Sequence, residues 1–321
     1  MIGADVRRAR TTIRHALRRA IAASLLLPGL VTTAGEAQSL LSSAGRTRIV
    51  VLGSGTPIPD PERFGPAVLI VVDSVPYLFD AGSGVMRRVA GAARLGVAGL
   101  APRNITHLFL THLHSDHTLG LNDVMFTPWI QGRTVPLELY GPPGTDRLVR
   151  GIIDGNDDDI RERLATSAGP SADGYRATVH VVAEGVVFRD ARVTVRAFAV
   201  AHSAWKHAFG YRVDTPDRSI VISGDARANP AMARECNGCD VLIHEVYSDS
   251  GFATIPAGRQ AYHAQAHTSA TQLGAIATDA RPGLLVLYHQ LFFGASDDQL
   301  LREVRSRFGG RVVSARDLSI F

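Results

Sequence analysis

A chain of 321 residues, 45% hydrophobic and 20% charged, has the make-up of globular material, with core enough for one large domain or two modest ones. Its 34 basic and 30 acidic residues give a formal net charge of +4, but the first 37 residues hold six of the arginines and only two acids, leaving 28 of each sign beyond them. A remainder so balanced, with Lys206 as its one lysine, lacks the basic excess by which proteins grip a nucleic-acid backbone through counterion release, so nucleic acid is the less favoured partner.

The first 37 residues read as a leader. Arg7, Arg8, Arg10, Arg14, Arg18 and Arg19 form a basic lead, Ala20–Val31 is a short apolar stretch, and small residues around Thr33–Ala37 suit a cleavage site. Twelve apolar positions are too few to span a bilayer, so the expectation is a secretory signal, of twin-arginine type given Arg18-Arg19, and no stable membrane anchor. Residues 38–321 would then be one exported domain, periplasmic or secreted.

Arg48–Leu52 is a β-branched run that reads as a strand, closed by the glycine turn Gly53-Ser-Gly-Thr-Pro57. No phosphate loop is expected there, since Lys-Ser or Lys-Thr is missing and Pro57, Pro59 and Pro61 forbid a following helix. Val68–Asp73 and Tyr77–Asp80 predict a strand pair, Ala81–Gly84 opens a helix to about Leu95, and Thr106–Thr111 predicts a strand. Residues 135–149 give a short strand, the turn Gly141-Pro-Pro-Gly144 and a helix; Asp154–Gly174, acidic and Gly/Ser-rich, reads as a mobile lid or surface insertion.

Strands follow at Ala177–Val182, Val186–Arg189, Val193–Val200, Gly210–Asp214 and Ser219–Ser223, then a helix near Pro230–Cys236 and a strand Val241–Ile243. A helix Thr268–Asp279, a strand Leu284–Tyr288, a helix Asp297–Phe308 and a strand at Val312-Val313 close the chain. The only cysteines, Cys236 and Cys239, have two residues between them and cannot supply a four-ligand zinc site; an exported protein would close them as a disulfide, a cytosolic one would keep two thiols at a helix end. Strands that first meander and then alternate with helices suit two packed sheets with helices outside, the loops at one edge carrying His and Asp.

The chemistry concentrates in Leu110-Thr-His112-Leu-His114-Ser-Asp116-His117, three imidazoles and a carboxylate directly after a strand. Neutral imidazole and carboxylate are the ligands that borderline divalent metals prefer, so this is read as a metal site. Further on, Asp80, His202, Asp225 and His289 each follow a hydrophobic strand, with His244-Glu245 beside them, as a site assembled from several strand ends requires. His107, His180, His207 and His263 have no nameable partner and are read as structural or solvent-facing; Phe126, Trp129, Phe292 and Phe293 are read as loop residues that could wall a pocket.

Taken in order, the motif around His112, then Ala-His202-Ser, Ser-Gly-Asp225-Ala, His244-Glu-Val-Tyr, His267-Thr-Ser-Ala and Leu-Tyr-His289-Gln resemble the metallo-β-lactamase superfamily, and most of all its ribonuclease Z and arylsulfatase-like branch. Leu52–Arg63, Leu78–Gly84 and Leu139–Thr145 match that branch too, so the resemblance covers Arg48 to Phe321. It implies an αββα sandwich and two zinc ions, though manganese or iron accept the same ligands. His112, His114 and His202 would hold the first ion, Asp116, His117 and His289 the second, and Asp225 would bridge them. A water shared by two such ions is acidified towards neutral pKa and can attack phosphorus, sulfur or a carbonyl, with Asp116 orienting it. In ribonuclease Z a histidine backed by a glutamate protonates the leaving group; His267 and Glu245 match those positions. Asp80 would orient a ligand histidine.

Ribonuclease Z also grips tRNA with a long, Gly/Pro-rich basic arm, and here the segment in that place opens with Asp154, Asp157, Asp158 and Asp159. Together with the balanced charge and the leader, this favours a small ester, phosphodiester or sulfate substrate outside the cytoplasm. Processing of tRNA 3′ ends is the alternative, β-lactam hydrolysis a further one, and a binding-only protein the distant one; oligomer formation stays open.

Overall fold

The computed structural model describes residues 46–166 and 170–321; the expected leader, 1–37, lies outside the described residues. Two seven-stranded mixed sheets face each other. The first opens with β1 (Thr47–Gly53), β2 (Ala67–Val72) and β3 (Val75–Phe79), an antiparallel meander, and continues in parallel through β4 (His107–Phe109), β5 (Leu137–Gly141) and β6 (Ala177–Val181). The second repeats the plan. β7 (Gly185–Arg189), β8 (Thr194–Ala199), β9 (Phe209–Asp214) and β10 (Ser219–Ile222) pair antiparallel, then β11 (Val241–Tyr247), β12 (Leu284–Leu291) and β13 (Val312–Ser314) run parallel. The short β14 (Ser319–Ile320) returns to pair with β1.

Helices coat both outer faces. α1 (Val85–Arg94), a single turn α2 (Ser115–Thr118), α3 (Leu121–Ile130), α4 (Thr145–Gly155) and α5 (Asp157–Ala165) precede the second sheet, and one core joins Val50, Leu69 and Leu108 to Val89, Val124, Trp129 and Val149. α6 (Pro230–Cys236), a short α7 (Asp249–Phe252), α8 (Ala257–Ala266), α9 (Ala270–Ala280) and α10 (Asp297–Arg305) follow, and a second core joins Leu242, Leu285 and Leu287 to Met232, Leu273 and Leu300. Between the sheets Phe79 stacks on Phe109 at 4.9 Å, and Tyr211 of the opposite sheet meets both rings. Strands covered on both faces read as unbroken apolar runs, which is why Ala67–Val72 and Leu284–Leu291 are buried at every position. The architecture is the αββα sandwich.

Two expectations are corrected. Asp154–Gly174 is no loose lid: α4 runs to Gly155 and α5 covers Asp157–Ala165, residues 167–169 being outside the described ones. Its aspartates crowd the first turn, where the helix dipole favours negative charge, and Arg161 and Arg163 pair with Asp157 and Asp159 one turn away. Phe126 and Trp129 are not loop residues; both are buried in α3 and packed into the first core, with Phe126 also bordering a cleft beside Asn122 and Asn156. α8 was not foreseen at all. Cys236 and Cys239 are joined by a disulfide at the end of α6.

Candidate metal centre

The C-terminal ends of β1, β3, β4 and β5 in one sheet, and of β8, β10 and β12 in the other, lie at one edge of the sandwich, since each sheet's antiparallel strands alternate into its parallel set. The turn after β4 carries His112 and His114, and α2 follows at once with Asp116 and His117. Six contacts shape this turn. Asp80, in a left-handed conformation (φ 58°) at the end of β3, accepts from the Thr111 amide at 2.8 Å and from the Thr111 hydroxyl, and its other oxygen meets His117 Nδ1 at 2.8 Å. Thr111 Oγ1 lies 3.0 Å from His112 Nδ1. Tyr211 donates to the Leu110 carbonyl and the Phe209 amide to that of Thr111, so the opposite sheet holds the strand end in place. With Nδ1 engaged on both rings, Nε2 of His112 and of His117 is left to face the centre.

The second sheet sends three side chains. His202 follows β8 and its Nδ1 donates to the Ala266 carbonyl at 2.7 Å, which leaves Nε2 with the free lone pair. Asp225 follows β10. His289 was expected just past the end of a strand, but β12 continues to Leu291; His289 is the extra residue of a bulge, where the pairing steps from Glu245–Tyr288 to Val246–Gln290, and its φ of 44° turns the ring out of the ladder.

These pieces converge. His112 Nε2 and His202 Nε2 each lie 3.0 Å from His114 Nδ1, and Asp225 Oδ2 stands 3.9 Å and 3.8 Å from the first two. Beside them Asp116 Oδ2 is 3.2 Å from His289 Nε2 and 3.4 Å from His117 Nε2, and Asp225 Oδ1 is 3.3 Å from His117 Nε2. Asp225 stands between two donor sets, its Oδ2 in the first and 3.5 Å from His289 Nε2 of the second, its Oδ1 towards His117. The donor atoms of His112, His114, His202 and Asp225, and those of Asp116, His117 and His289, lie within 4.8 Å of one another. His117 Nε2 and Asp225 Oδ1 are buried with no hydrogen-bond partner although they face each other. Buried polar atoms left unpaired are costly, and imidazole and carboxylate atoms pointing at common points rather than along hydrogen bonds fit two divalent cations.

The electrostatics agree. Burial pushes His112 well below the ordinary imidazole range and His114 down to about 4, so both stay neutral and ready to ligate. Burial alone would raise Asp225, but His289 and His117 outweigh it and hold the carboxyl ionised; at Asp116 burial is likewise outweighed, by His117 and then His289.

Glu245 and His267 stand next to the centre. Glu245 lies inside β11, not at its end, and is fully buried; its Oε1 accepts from the Thr268 amide at 2.8 Å, and its Oε2 lies 3.3 Å from His267 Nδ1. Burial would lower His267, but Glu245 and then Asp225 raise it above its ordinary value. Asp225, His267 and His289 also come within ligating distance of one another, so geometry alone allows His267 a second role as a ligand. His244 faces away, its Nδ1 donating to the Glu245 carbonyl.

Of the four histidines without an expected role, His107 packs on Tyr77 and Phe188, and His180 pairs with Glu138 at 2.6 Å; neither belongs to the clusters. His263 packs against His267 with ring centres 5.5 Å apart, and His207 lines a cavity beside His114. Thr111 and Tyr211 were missed as supports, the first legible as a flank of the motif, the second only once the sheets are seen to face each other.

Residues 76–290 match the family model of the β-lactamase superfamily domain. The ribonuclease Z of Mycobacterium avium is 35% identical over 279 residues, 84% of this chain and 96% of that protein. Among solved structures, the short form of human tRNase Z superposes with a TM-score of 0.63 at 23% identity, covering 85% of this chain and 98% of its own. The metallo-β-lactamase fold protein YhfI from Bacillus subtilis gives 0.63 at 18%, covering 86% and 98%.

Proposed function

Since this chain belongs to the metallo-β-lactamase superfamily and is a metal-dependent hydrolase related to the ribonucleases Z, we propose that its reaction is the cleavage of phosphodiester bonds in RNA, with tRNA 3′-end processing as the specific task. One observation carries this reading: a buried carboxylate, Asp225, stands between the two donor clusters, and His267, backed by Glu245, lies 3.9 Å from it. Two cations held there would acidify an attacking water and offset the charge that develops on a phosphoryl oxygen. The protein's own groups do the rest. Asp116, ionised and at the rim of the second cluster, accepts a hydrogen bond from the attacking water and aligns it. His267 holds its Nδ1 proton against Glu245, so Nε2 is the atom that gives a proton to the departing oxygen.

The relatives move the weight from small exported esters to RNA. The balanced charge bears on affinity more than on chemistry, and the aspartates that open α5 are largely paired within their own helix by Arg161 and Arg163. The test is direct. Metal-loaded full-length protein should cut precursor tRNA endonucleolytically and bis(p-nitrophenyl) phosphate slowly, leave nitrocefin nearly untouched, bind two metal ions per chain, and lose every activity in strong chelator. Fully loaded protein that cleaves nitrocefin but no phosphodiester would overturn the proposal.

A further inference from the structure

Among the described residues only two aromatic side chains are classed as exposed, Trp205 at 36% and Tyr262 at 46%, and both line one cavity of about 520 Å³ that reaches His114 of the first donor cluster. Exposed aromatic rings cost solvation unless something covers them. They come from separate elements, the β8–β9 loop and α8, yet the loop is pinned: Ser203, in a left-handed turn, donates its amide to the Gln265 carbonyl, and the Trp205 amide donates to His202. Pro142 and Pro143 form the far wall, rigid and apolar. Lys206, the single lysine of the chain, lies on the same lining.

The second cavity, about 550 Å³, reaches Asp116 of the other cluster and is built differently, from Pro57, Ile58, Pro59 and Leu119. Its Arg63 is turned inward to Ser54, Gln290 and Asp297, so it offers a passing anion little. The centre thus has two flanks, one offering the exposed rings of Trp205 and Tyr262 with Lys206 beside them, the other built mainly from proline and aliphatic side chains, with Phe64 whose ring is covered by Arg88.

Resting on the phosphodiesterase reading, we propose that the Trp205–Tyr262 cavity is a nucleotide subsite: it takes the base next to the scissile phosphodiester between or against the two rings, while Lys206 contacts the neighbouring phosphate. Stacking on aromatic side chains suits any base, since every base has a π-face, and an ammonium suits a phosphate as a point charge. The indole N–H meets Nε2 of His114 at 2.6 Å. The two rings meet edge to face at 89°, so the indole is held beside the first donor cluster.

The probes are adenosine 5′-monophosphate, ribose 5-phosphate and phenyl phosphate, each titrated into metal-loaded full-length protein by calorimetry and by tryptophan fluorescence, to which buried Trp129 should contribute a nearly constant background. The nucleotide should bind about tenfold or more tighter than ribose 5-phosphate, the usual worth of a stacked base. Trp205→Ala and Tyr262→Ala should each remove most of that advantage without weakening ribose 5-phosphate, and Trp205→Phe should retain much of it. Because Lys206 is the only lysine, amine acetylation labels it and the N-terminus alone, and the nucleotide should protect it. Equal binding of nucleotide and ribose phosphate, or an advantage that survives both alanine variants, would overturn the subsite. Phenyl phosphate binding as tightly as the nucleotide would overturn the assignment to a base in favour of aryl esters. Failure of the phosphodiesterase reading appears separately, as nucleotide binding by a protein that cuts no phosphodiester.

Discussion

The two sheets contribute to the same centre in different ways. The first delivers four side chains from one turn, His112, His114, Asp116 and His117, and fixes them by a shared support, Asp80 and Thr111. The second delivers His202, Asp225 and His289 from three strands, each held by its own device: a carbonyl of Ala266, the partners around Asp225, a bulge in β12. A contiguous turn can be shaped before the sheets meet; dispersed ligands acquire meaning only after them. Damage on the first side should therefore spread along one turn, while damage on the second should depend on which cluster loses its ligand.

The largest effect should come from Asp225, the one residue on which both clusters depend. Asp225→Ala should lower metal occupancy at both positions and reduce turnover to background, whereas His202→Ala should empty chiefly the first. Metal analysis of both variants after gel filtration decides; equal stoichiometry in the two would remove Asp225 from its bridging place.

Next comes His267, beside the clusters rather than among the assigned ligands. His267→Ala should keep both metals and slow turnover by ~10²–10⁴, the usual worth of a general acid. The loss should be small for p-nitrophenolate, which departs without a proton, and full for a ribose or alkyl oxygen. Glu245→Gln should follow the same pattern more weakly. Uniform loss over leaving groups of graded pKa, or loss of metal, would make His267 a ligand, which its distance to Asp225 and His289 also permits.

On the first sheet's side, Asp80→Asn should cost ~10–100-fold in metal affinity with the ligands all present, as for other groups that orient a ligating imidazole. Competition against a chelator of known affinity measures it. Because Asp80 also holds the Thr111 amide and hydroxyl, the loss should exceed that of Thr111→Val, which removes only the hydroxyl.

This contrast also explains what was legible beforehand. The cluster from His112 to His117 stands out because ligand types crowd into a few positions, and most strands show as apolar runs. His289 stands out as a histidine directly after a hydrophobic strand, but its placement in a bulge does not show, because a bulge has no composition of its own. α3 was missed although Leu121, Val124, Met125, Pro128 and Trp129 fall at helical spacing, because Pro128 suggests a break and Phe126 and Ile130 blur the stripe. α5 was mistaken for loop because its acidic start resembles a solvated segment, although the same aspartates suit a helix N-terminus. Trp205 and Tyr262 are far apart in sequence, and nothing local says that they share a cavity.

The smallest effect concerns the metal-free protein in acid. Among the described residues six imidazoles are held below their ordinary value of 6.5: His107, His112, His114, His202, His244 and His263, with burial the leading cause in each and His114 and His263 brought to about 4. Such groups stay neutral in the folded chain and bind protons in the unfolded one, so stability falls as pH drops through 6.5 towards 4. His117 and His267 are raised and act the other way: their contribution is fully present below 6.5 and is lost only as pH climbs through their folded values. Six against two makes the net slope destabilising in acid, and four of the six sit outside the motif turn of the first sheet. Bound metal should steepen the slope, because protons and cations then compete for the same ring nitrogens. Urea unfolding at pH 7.5 and pH 5, with and without metal, reads both slopes. A metal-free midpoint that rises on going to pH 5 would mean that His117 and His267 dominate, since Asp116 and Asp225, held below their ordinary values, only lose stabilising effect as the pH falls.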